Sequence, residues 1–329
     1  MTTLWDTTGS EVVKALGAER RAHGAVASGL ALTLVVVVGE AQVAAAEQAA
    51  TRAAAEHPCR LIIVVRRRPD APESRLDAEV LIGGRLGPGE AAVLRMYGRL
   101  ALHAESVVLP LLAPDAPVVT WWFGEPPHLI AHDPLGVLAD RRVTDTTLAT
   151  DAMAALAQRG ADYAPGDTDL AWTRATHWRT LCALAFDSVT SGATAVTVTG
   201  PAADPTRALM AGWLHACLDV PVEQVDDHLP GPVTEIVIAL EDGEVRISRV
   251  DDTSALLQRS GQPDRTMPLE PSALGDLLAE ELRRLDADET YAAALRVATG
   301  TNGQAAVPRT HIWHDPTEAD APDPALTTT

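Results

Sequence analysis

The sequence has few cysteines, and no two of them lie close together in the chain. Three cysteines occur in 329 residues, far apart and without a C-x-x-C pair. We expect Cys59, Cys182 and Cys217 to be reduced and mostly buried, since no disulfide or zinc framework is indicated. A redox switch at one of these thiols is the alternative.

Long apolar runs and targeting segments are also missing. The most apolar run covers residues 30–38, whereas a membrane-spanning helix needs about 20 residues. Residues 1–10 are polar and lack the basic and apolar regions of a secretory signal. We therefore expect a cytoplasmic protein that does not cross a membrane.

Basic residues are scarce relative to acidic ones. There are 26 Lys and Arg residues against 45 Asp and Glu residues, which gives a net charge of −19. Nucleic acids and anionic membranes require a basic surface, so neither is expected as a partner. The acidic surface serves solubility, or alternatively docks onto a positively charged partner. The one lysine, Lys14, indicates an ancestry with high G+C codon bias.

The sequence lacks the motifs that carry catalysis in many α/β proteins. The glycine-rich stretch 83–89 is not in G-x-G-x-x-G order and lies between two predicted strands, so we interpret it as a hairpin turn. Walker, G-x-S-x-G and H-E-x-x-H motifs do not occur. His128 and His132 have a metal-ligand spacing, but flanking prolines leave room for barely one helical turn. We predict no catalytic, cofactor-binding or metal-binding residue.

Two further polar groups have structural interpretations. His311 and His314 belong to a polar C-terminal segment, which we interpret as unstructured or as a short docking patch. Asp162, Asp167 and Asp169 fall where acidic residues serve turns and helix starts, and Asp169 is a predicted helix cap.

Apolar β-branched runs alternate with helical periodicity, which predicts an α/β fold. The predicted strands cover residues 30–38, 60–67, 77–82, 91–97, 118–123, 194–199, 234–240 and 244–250. Both halves run helix, strand, helix and then several strands. We therefore predict two α/β sandwich domains, each a mixed sheet with flanking helices, with a pseudo-repeat as a further hypothesis. The predicted units are an N-terminal domain with a connector (1–160), a C-terminal domain (161–298) and a flexible acidic tail (299–329).

Tryptophan placement supplies a candidate partner interface. Adjacent Trp121 and Trp122 must point to opposite faces of their predicted strand. Trp172 lies on the same helical stripe as Arg179, a composition typical of binding hot spots. The candidate interface comprises Trp121, Trp122, Trp172, Arg174 and Arg179. The alternative is that these side chains pack between the two domains.

These tryptophans lie in blocks that resemble the OpcA family of glucose-6-phosphate dehydrogenase assembly proteins, of the actinobacterial type. The blocks are VVLPLL at 107–112, PDAPVVTWW at 114–122, and GDTDLAWTR at 166–174 continuing to Trp178 and Arg179. Shorter matching blocks are LWDTT at 4–8, EHPCR at 56–60, LGVLADRR at 135–142 and AGWL at 211–214. The matches keep one order over residues 4–290.

The resemblance implies a non-catalytic protein that binds glucose-6-phosphate dehydrogenase and promotes its active oligomer in the oxidative pentose phosphate pathway. On this hypothesis, Ala at Trp172 or Arg179 weakens activation and leaves the fold intact. A purely structural scaffold is one alternative. Another is an α/β enzyme or sugar-phosphate-binding protein, for which Arg60, Arg66, Arg67 and Arg68 are candidate residues.

Overall fold

The computed structural model describes residues 2–23, 30–83, 89–186 and 189–301. Within them the chain forms an eight-stranded and a six-stranded mixed sheet with flanking helices, which confirms the predicted fold class. The strands are β1 (Thr2–Leu4), β2 (Leu32–Val38), β3 (Cys59–Arg67), β4 (Arg75–Ile82), β5 (Glu90–Tyr97), β6 (Val118–Phe123), β7 (Arg141–Thr144), β8 (Asp167–Asp169), β9 (Ala193–Gly200), β10 (Val222–Asp226), β11 (Glu235–Leu240), β12 (Gly243–Arg249), β13 (Ser254–Arg259) and β14 (Arg265–Pro268). The helices are α1 (Gly9–His23), α2 (Val43–Glu56), α3 (Arg99–Leu102), α4 (Glu105–Val108), α5 (Pro134–Val137), α6 (Ala152–Asp162), α7 (Leu170–Arg174), α8 (Thr176–Phe186), α9 (Pro205–Leu218), α10 (Leu274–Leu282) and α11 (Glu289–Thr299).

The first sheet contains a doubly wound set of parallel strands. Its order is β1-β4-β5-β3-β2-β6-β7-β8, and the six strands from β5 to β8 are parallel to their neighbours. Numbered along the chain, those six strands have the order 3-2-1-4-5-6, which is that of dinucleotide-binding folds. Strands β4 and β1 extend one edge in antiparallel pairing.

Apolar cores cover both faces of the first sheet. Helices α2 and α10 pack on one face, and α1, α3 and α4 pack on the other. Because both faces are buried, β2 and β3 read as continuous apolar runs without alternation, as is typical of parallel strands.

The second sheet is covered on one face by α8 and α9. Its order is β10-β9-β11-β12-β13-β14, and all its pairings except β10 with β9 are antiparallel. The inward residues alternate with partly exposed outward ones along β11 and β12. Side chains of α6, α7, α9 and α11 form a separate apolar cluster.

Aspartates begin several of the described helices by accepting hydrogen bonds from the first turn. Asp151 starts α6, Asp204 starts α9 and Asp288 starts α11. The predicted cap at Asp169 is confirmed, since its carboxylate accepts from the N–H of Ala171 at 2.9 Å. A side-chain oxygen satisfies an N–H group that has no partner inside the helix.

The structure corrects several predicted elements. The sequence pattern predicts one helix over residues 100–112. The structure has the short helices α3 and α4 and a 3₁₀ turn, Leu109–Leu111, in its place. The sequence predicts a polar connector at 140–167 with a short helix around 152–158. That helix is confirmed as α6, but the connector also contains the buried strand β7, which was not predicted. Periodicity misses β7 because its four residues are too few for a repeat. The predicted turn at 83–89 and the tail at 299–329 fall largely outside the described residues.

The two sheets do not divide at the predicted domain boundary. Strand β8 follows residue 161 but joins the first sheet, and α10 returns from the second half to pack on α2. The second sheet begins only with β9. The division at residues 160 and 161 stays a prediction.

Candidate functional site

The topology places a crevice where β2 and β6 end, because the connections leave these two neighbouring strands toward opposite faces. Ligands of doubly wound sheets bind at this switch point. Here the turn after β2 reads GEAQVA at 39–44, with one glycine where a phosphate loop has three. The side-chain oxygen of Gln42 lies 3.2 Å from the position of a Cβ on Gly39 and 3.3 Å from that on Gly124. Gln42 therefore fills the space between the two strand ends.

A carboxylate occupies the same turn. Glu40 lies 3.1 Å from Arg95 Nε and 3.1 Å from Arg67 Nε. Arg67 also donates to the Tyr97 hydroxyl at 2.9 Å. The two nearby guanidinium groups are therefore already paired, and Glu40 would repel an incoming phosphate.

The four arginines proposed for a sugar phosphate do not converge. Arg60 lies at the start of β3, where it is buried and paired with Glu90. Arg66 and Arg67 lie at the opposite end of that strand, and Arg68 is exposed. Arg66 forms two 3.0 Å hydrogen bonds with Asp133. This arrangement offers no shared anion site.

A cavity of about 290 Å³ lies beyond β6 and β7. Thr144, Asp145, His128, Gln158 and Arg159 are among the residues that line it. Asp145 already forms a two-pronged ion pair with Arg174, with both N–O distances at 2.8 Å. The cavity is large enough for a small molecule, but its polar groups are mostly engaged with the protein.

No metal centre is formed in the part of the chain that the structure describes. No group of three or more His, Cys, Asp or Glu side chains is suitably placed there. The backbone carbonyl of His128 instead accepts hydrogen bonds from Gln158 and Arg159. Predicted histidines His311 and His314 lie outside the described residues.

Burial raises the pKa of all three cysteine thiols. Burial raises the pKa of Cys59 and Cys182 to about 12 in each case, so neither thiol is activated as a thiolate. Cys217 is exposed, and partial burial of its thiol raises its pKa as well.

Both adjacent tryptophans are buried. Trp121 packs in the core beneath α2 and α10, with its ring 5.0 Å from that of Phe123. Trp122 points to the opposite face and lies against Gly136. The predicted opposite orientation is confirmed, and neither ring reaches solvent.

Trp172 is only 2% exposed. Its indole N–H donates to Asp288 at 2.9 Å, and the Arg179 guanidinium lies 3.5 Å from its ring centroid. Burial lowers the pKa of Arg179 to about 10. Trp172 therefore packs inside the cluster formed by α6, α7, α9 and α11, and its part in a partner interface stays a prediction.

The block at 166–174 also holds buried charges at the end of the first sheet. Asp169 accepts from the Thr144 hydroxyl at 2.6 Å and from the Thr146 N–H at 3.0 Å. Burial, with a smaller contribution from nearby Asp145, raises the pKa of Asp169. Arg174 is a quarter exposed.

Comparison with models of known protein families identifies the family of this chain. Residues 50–161 match the model of the glucose-6-phosphate dehydrogenase subunit N-terminal domain, and residues 165–295 match that of the C-terminal domain. The chain belongs to the OpcA family. The recognition made from the tryptophan blocks is confirmed.

Solved structures provide only distant likenesses to this family member. An oxidoreductase from Sinorhizobium meliloti is 10% identical, with 82% of this chain and 95% of that chain covered and a TM-score of 0.47. The regulator Gal80p from Kluyveromyces lactis is 8% identical, with 86% of this chain and 95% of that chain covered and a TM-score of 0.46. Levoglucosan dehydrogenase is 11% identical, with 82% of this chain and 90% of that chain covered and a TM-score of 0.42. Scores this low say nothing about function. No curated protein matches the chain.

Sequence reasoning missed two groups of residues in this OpcA-family chain. Arg141 and Glu281 form a buried ion pair between β7 and α10, although they are 140 residues apart. Leu229 and Val250 are strongly exposed beside a groove on the second sheet. Arg141 falls within the LGVLADRR block, which was the one signal for it in the sequence. No local pattern indicates Glu281, Leu229 or Val250. None of the described helices is long and apolar enough to span a membrane.

Proposed function

We propose that this chain is a non-catalytic accessory protein that binds glucose-6-phosphate dehydrogenase and promotes assembly of its active oligomer. Membership of the OpcA family, through matches to both of its domain models, carries the proposal. The crevice between β2 and β6 supports it, because Gln42 and Glu40 occupy the place of a phosphate loop. We further propose that the protein acts in the cytoplasm, with neither nucleic acid nor membrane as its partner.

Activation by such a protein requires a difference in affinity. A ligand that binds two states of its partner equally shifts no equilibrium. Each tenfold shift toward the active oligomer needs about 1.4 kcal/mol of preferential binding. A few buried contacts at a protein interface supply that amount.

The five predicted interface residues remain part of the proposal, with a changed role. Because Trp121, Trp122 and Trp172 are buried, we propose that they position the surface that meets the dehydrogenase. Replacing Trp172 with Ala removes a buried aromatic side chain, at a cost of about 3–5 kcal/mol. Lost activation in that variant would therefore also reflect a damaged fold.

The proposal is tested with the purified dehydrogenase from the same organism. Its activity and its mass by light scattering are measured with and without equimolar chain. We expect one complex, a larger dehydrogenase oligomer and a higher rate. Absence of a complex together with an unchanged rate would contradict the proposal.

An α/β enzyme is the second candidate, because the first sheet has a dinucleotide-binding strand order and a 290 Å³ cavity lies near its carboxyl edge. This candidate predicts that NADP⁺ or glucose 6-phosphate raises the melting temperature of the chain alone. It also predicts turnover without the dehydrogenase. The accessory proposal predicts neither.

A further inference from the structure

A groove on the second sheet gathers exposed apolar side chains. It encloses about 460 Å³ between the end of β9, the loop at 227–230 and the turn after β12. Leu229 and Val250 line it, and they are 63% and 60% exposed. Val225 on β10 pairs in register with Thr199, another lining residue, so both point to the groove face. Apolar patches of this kind on ordered surfaces are typical of protein-binding sites.

Hydrogen bonds fix the backbone at the two apolar residues. Asp227 accepts from the Leu229 N–H at 3.3 Å and also from the Thr234 hydroxyl. The Val250 N–H donates to the Ser254 carbonyl at 3.0 Å. A surface that is ordered before binding loses little conformational entropy when a partner docks.

The groove is acidic. Asp227, Glu235, Asp251 and Asp252 line it together with a single basic residue, Arg249. Hydrogen bonds from the Thr253 N–H, and then from Ser254, lower the pKa of Asp251, so it is ionised at neutral pH. Although Arg246 pairs with Glu235 at 2.9 Å, carboxylates outnumber guanidinium groups around the groove.

Arg249 is engaged with the protein at the rim of the groove. Its Nη1 donates long hydrogen bonds, of 3.4 and 3.5 Å, to the carbonyls of Asp251 and Asp252. Its guanidinium carbon also lies 5.8 Å from the centroid of the Trp178 ring.

We infer that this groove is the docking site for a segment of the dehydrogenase that carries an apolar side chain next to a basic one. The inference rests on the proposed function. The apolar side chain packs between Leu229 and Val250, and the basic side chain pairs with Asp252 and its neighbours.

Two apolar-to-acidic substitutions test the docking site. L229D and V250D each place a charge against the apolar side chain of the partner. We expect the dissociation constant for the dehydrogenase to rise at least about tenfold in each, as at an interface hot spot. Isothermal titration calorimetry measures it. The matched control is V297D, at a 41% exposed site on α11, which should bind as the unchanged chain does.

Charge reversal supplies an independent arm. D252K leaves both apolar side chains in place and should weaken binding. Added salt should weaken binding of the unchanged chain, because salt screens exposed ion pairs. Thermal melting checks the fold of every variant. If L229D or V250D does not fold, binding of D252K, which changes an exposed residue, decides whether the groove is the docking site.

The outcomes separate the two proposals. Unchanged binding of folded L229D, V250D and D252K would overturn the groove while the accessory function stands. Absence of any complex with the unchanged chain would end both. A third outcome is that the chain self-associates, and that L229D abolishes this self-association without changing dehydrogenase binding. The groove would then be a contact between copies of the chain, and this inference would be overturned.

Discussion

Buried charges in this protein are anchored by partners from distant parts of the chain. Glu281 on α10 pairs with Arg141 on β7 and accepts from the Thr173 hydroxyl at 2.6 Å. Arg141 also donates to the Asp286 carbonyl at 2.8 Å. Each charge is tolerated in the interior because the others compensate its lost hydration.

Removing one member of this group tests its role. We expect E281A to lower the free energy of unfolding by about 3–5 kcal/mol, because Arg141 is left as an unpaired buried charge. Urea denaturation measures the change. E56A is the matched control, since Glu56 forms an exposed pair with Arg283 at 3.7 Å and such pairs contribute about 0–1 kcal/mol. Equal effects of the two substitutions would contradict this account.

At the scale of elements, close helix packing explains a glycine in one of the family blocks. Gly212 lies on α9 where it crosses α11. A Cβ there would sit 2.3 Å from the Ala294 carbonyl oxygen and 3.2 Å from the Ala298 nitrogen. Both atoms are backbone, so they cannot move aside without shifting α11.

Two alanine substitutions separate packing from helix propensity. We expect G212A to destabilise the protein by about 1–3 kcal/mol through overpacking. G17A in α1, where the nearest atom to the new Cβ is the flexible Arg21 end at 3.5 Å, should instead stabilise it by about 0.5–1 kcal/mol. Melting temperatures of both variants measure the effects. A stabilising G212A would show that α9 and α11 are not packed as described.

At the scale of the whole molecule, the second half of the chain completes the first sheet. Strand β8 forms its edge, and Leu277, Leu278 and Leu282 of α10 are buried in the core beneath α2. Each buried leucine contributes about 1.5–3 kcal/mol, whereas a typical domain has a total stability of about 5–15 kcal/mol. We therefore expect the first half alone to lack a large part of its stability.

A divided chain tests this interdependence. We expect the fragment 1–160 to show no cooperative thermal unfolding by circular dichroism and to bind a hydrophobic dye. Co-expression with fragment 161–298 should restore a stable complex, because it returns β8 and α10 to the first sheet. A cooperatively folded 1–160 fragment would instead establish it as an independent domain.

The sequence by itself determined the α/β class, the main strands, the lack of catalytic motifs and the family. Each of these depends on local periodicity, local spacing or ordered blocks. The tertiary structure decided the strand order, the filling of the crevice by Gln42, and the burial of Trp172 against Arg179 and Asp288. It also brought Leu229 and Val250 to one groove. These features depend on strand pairing and helix packing between residues far apart in the chain, and no local pattern records that pairing.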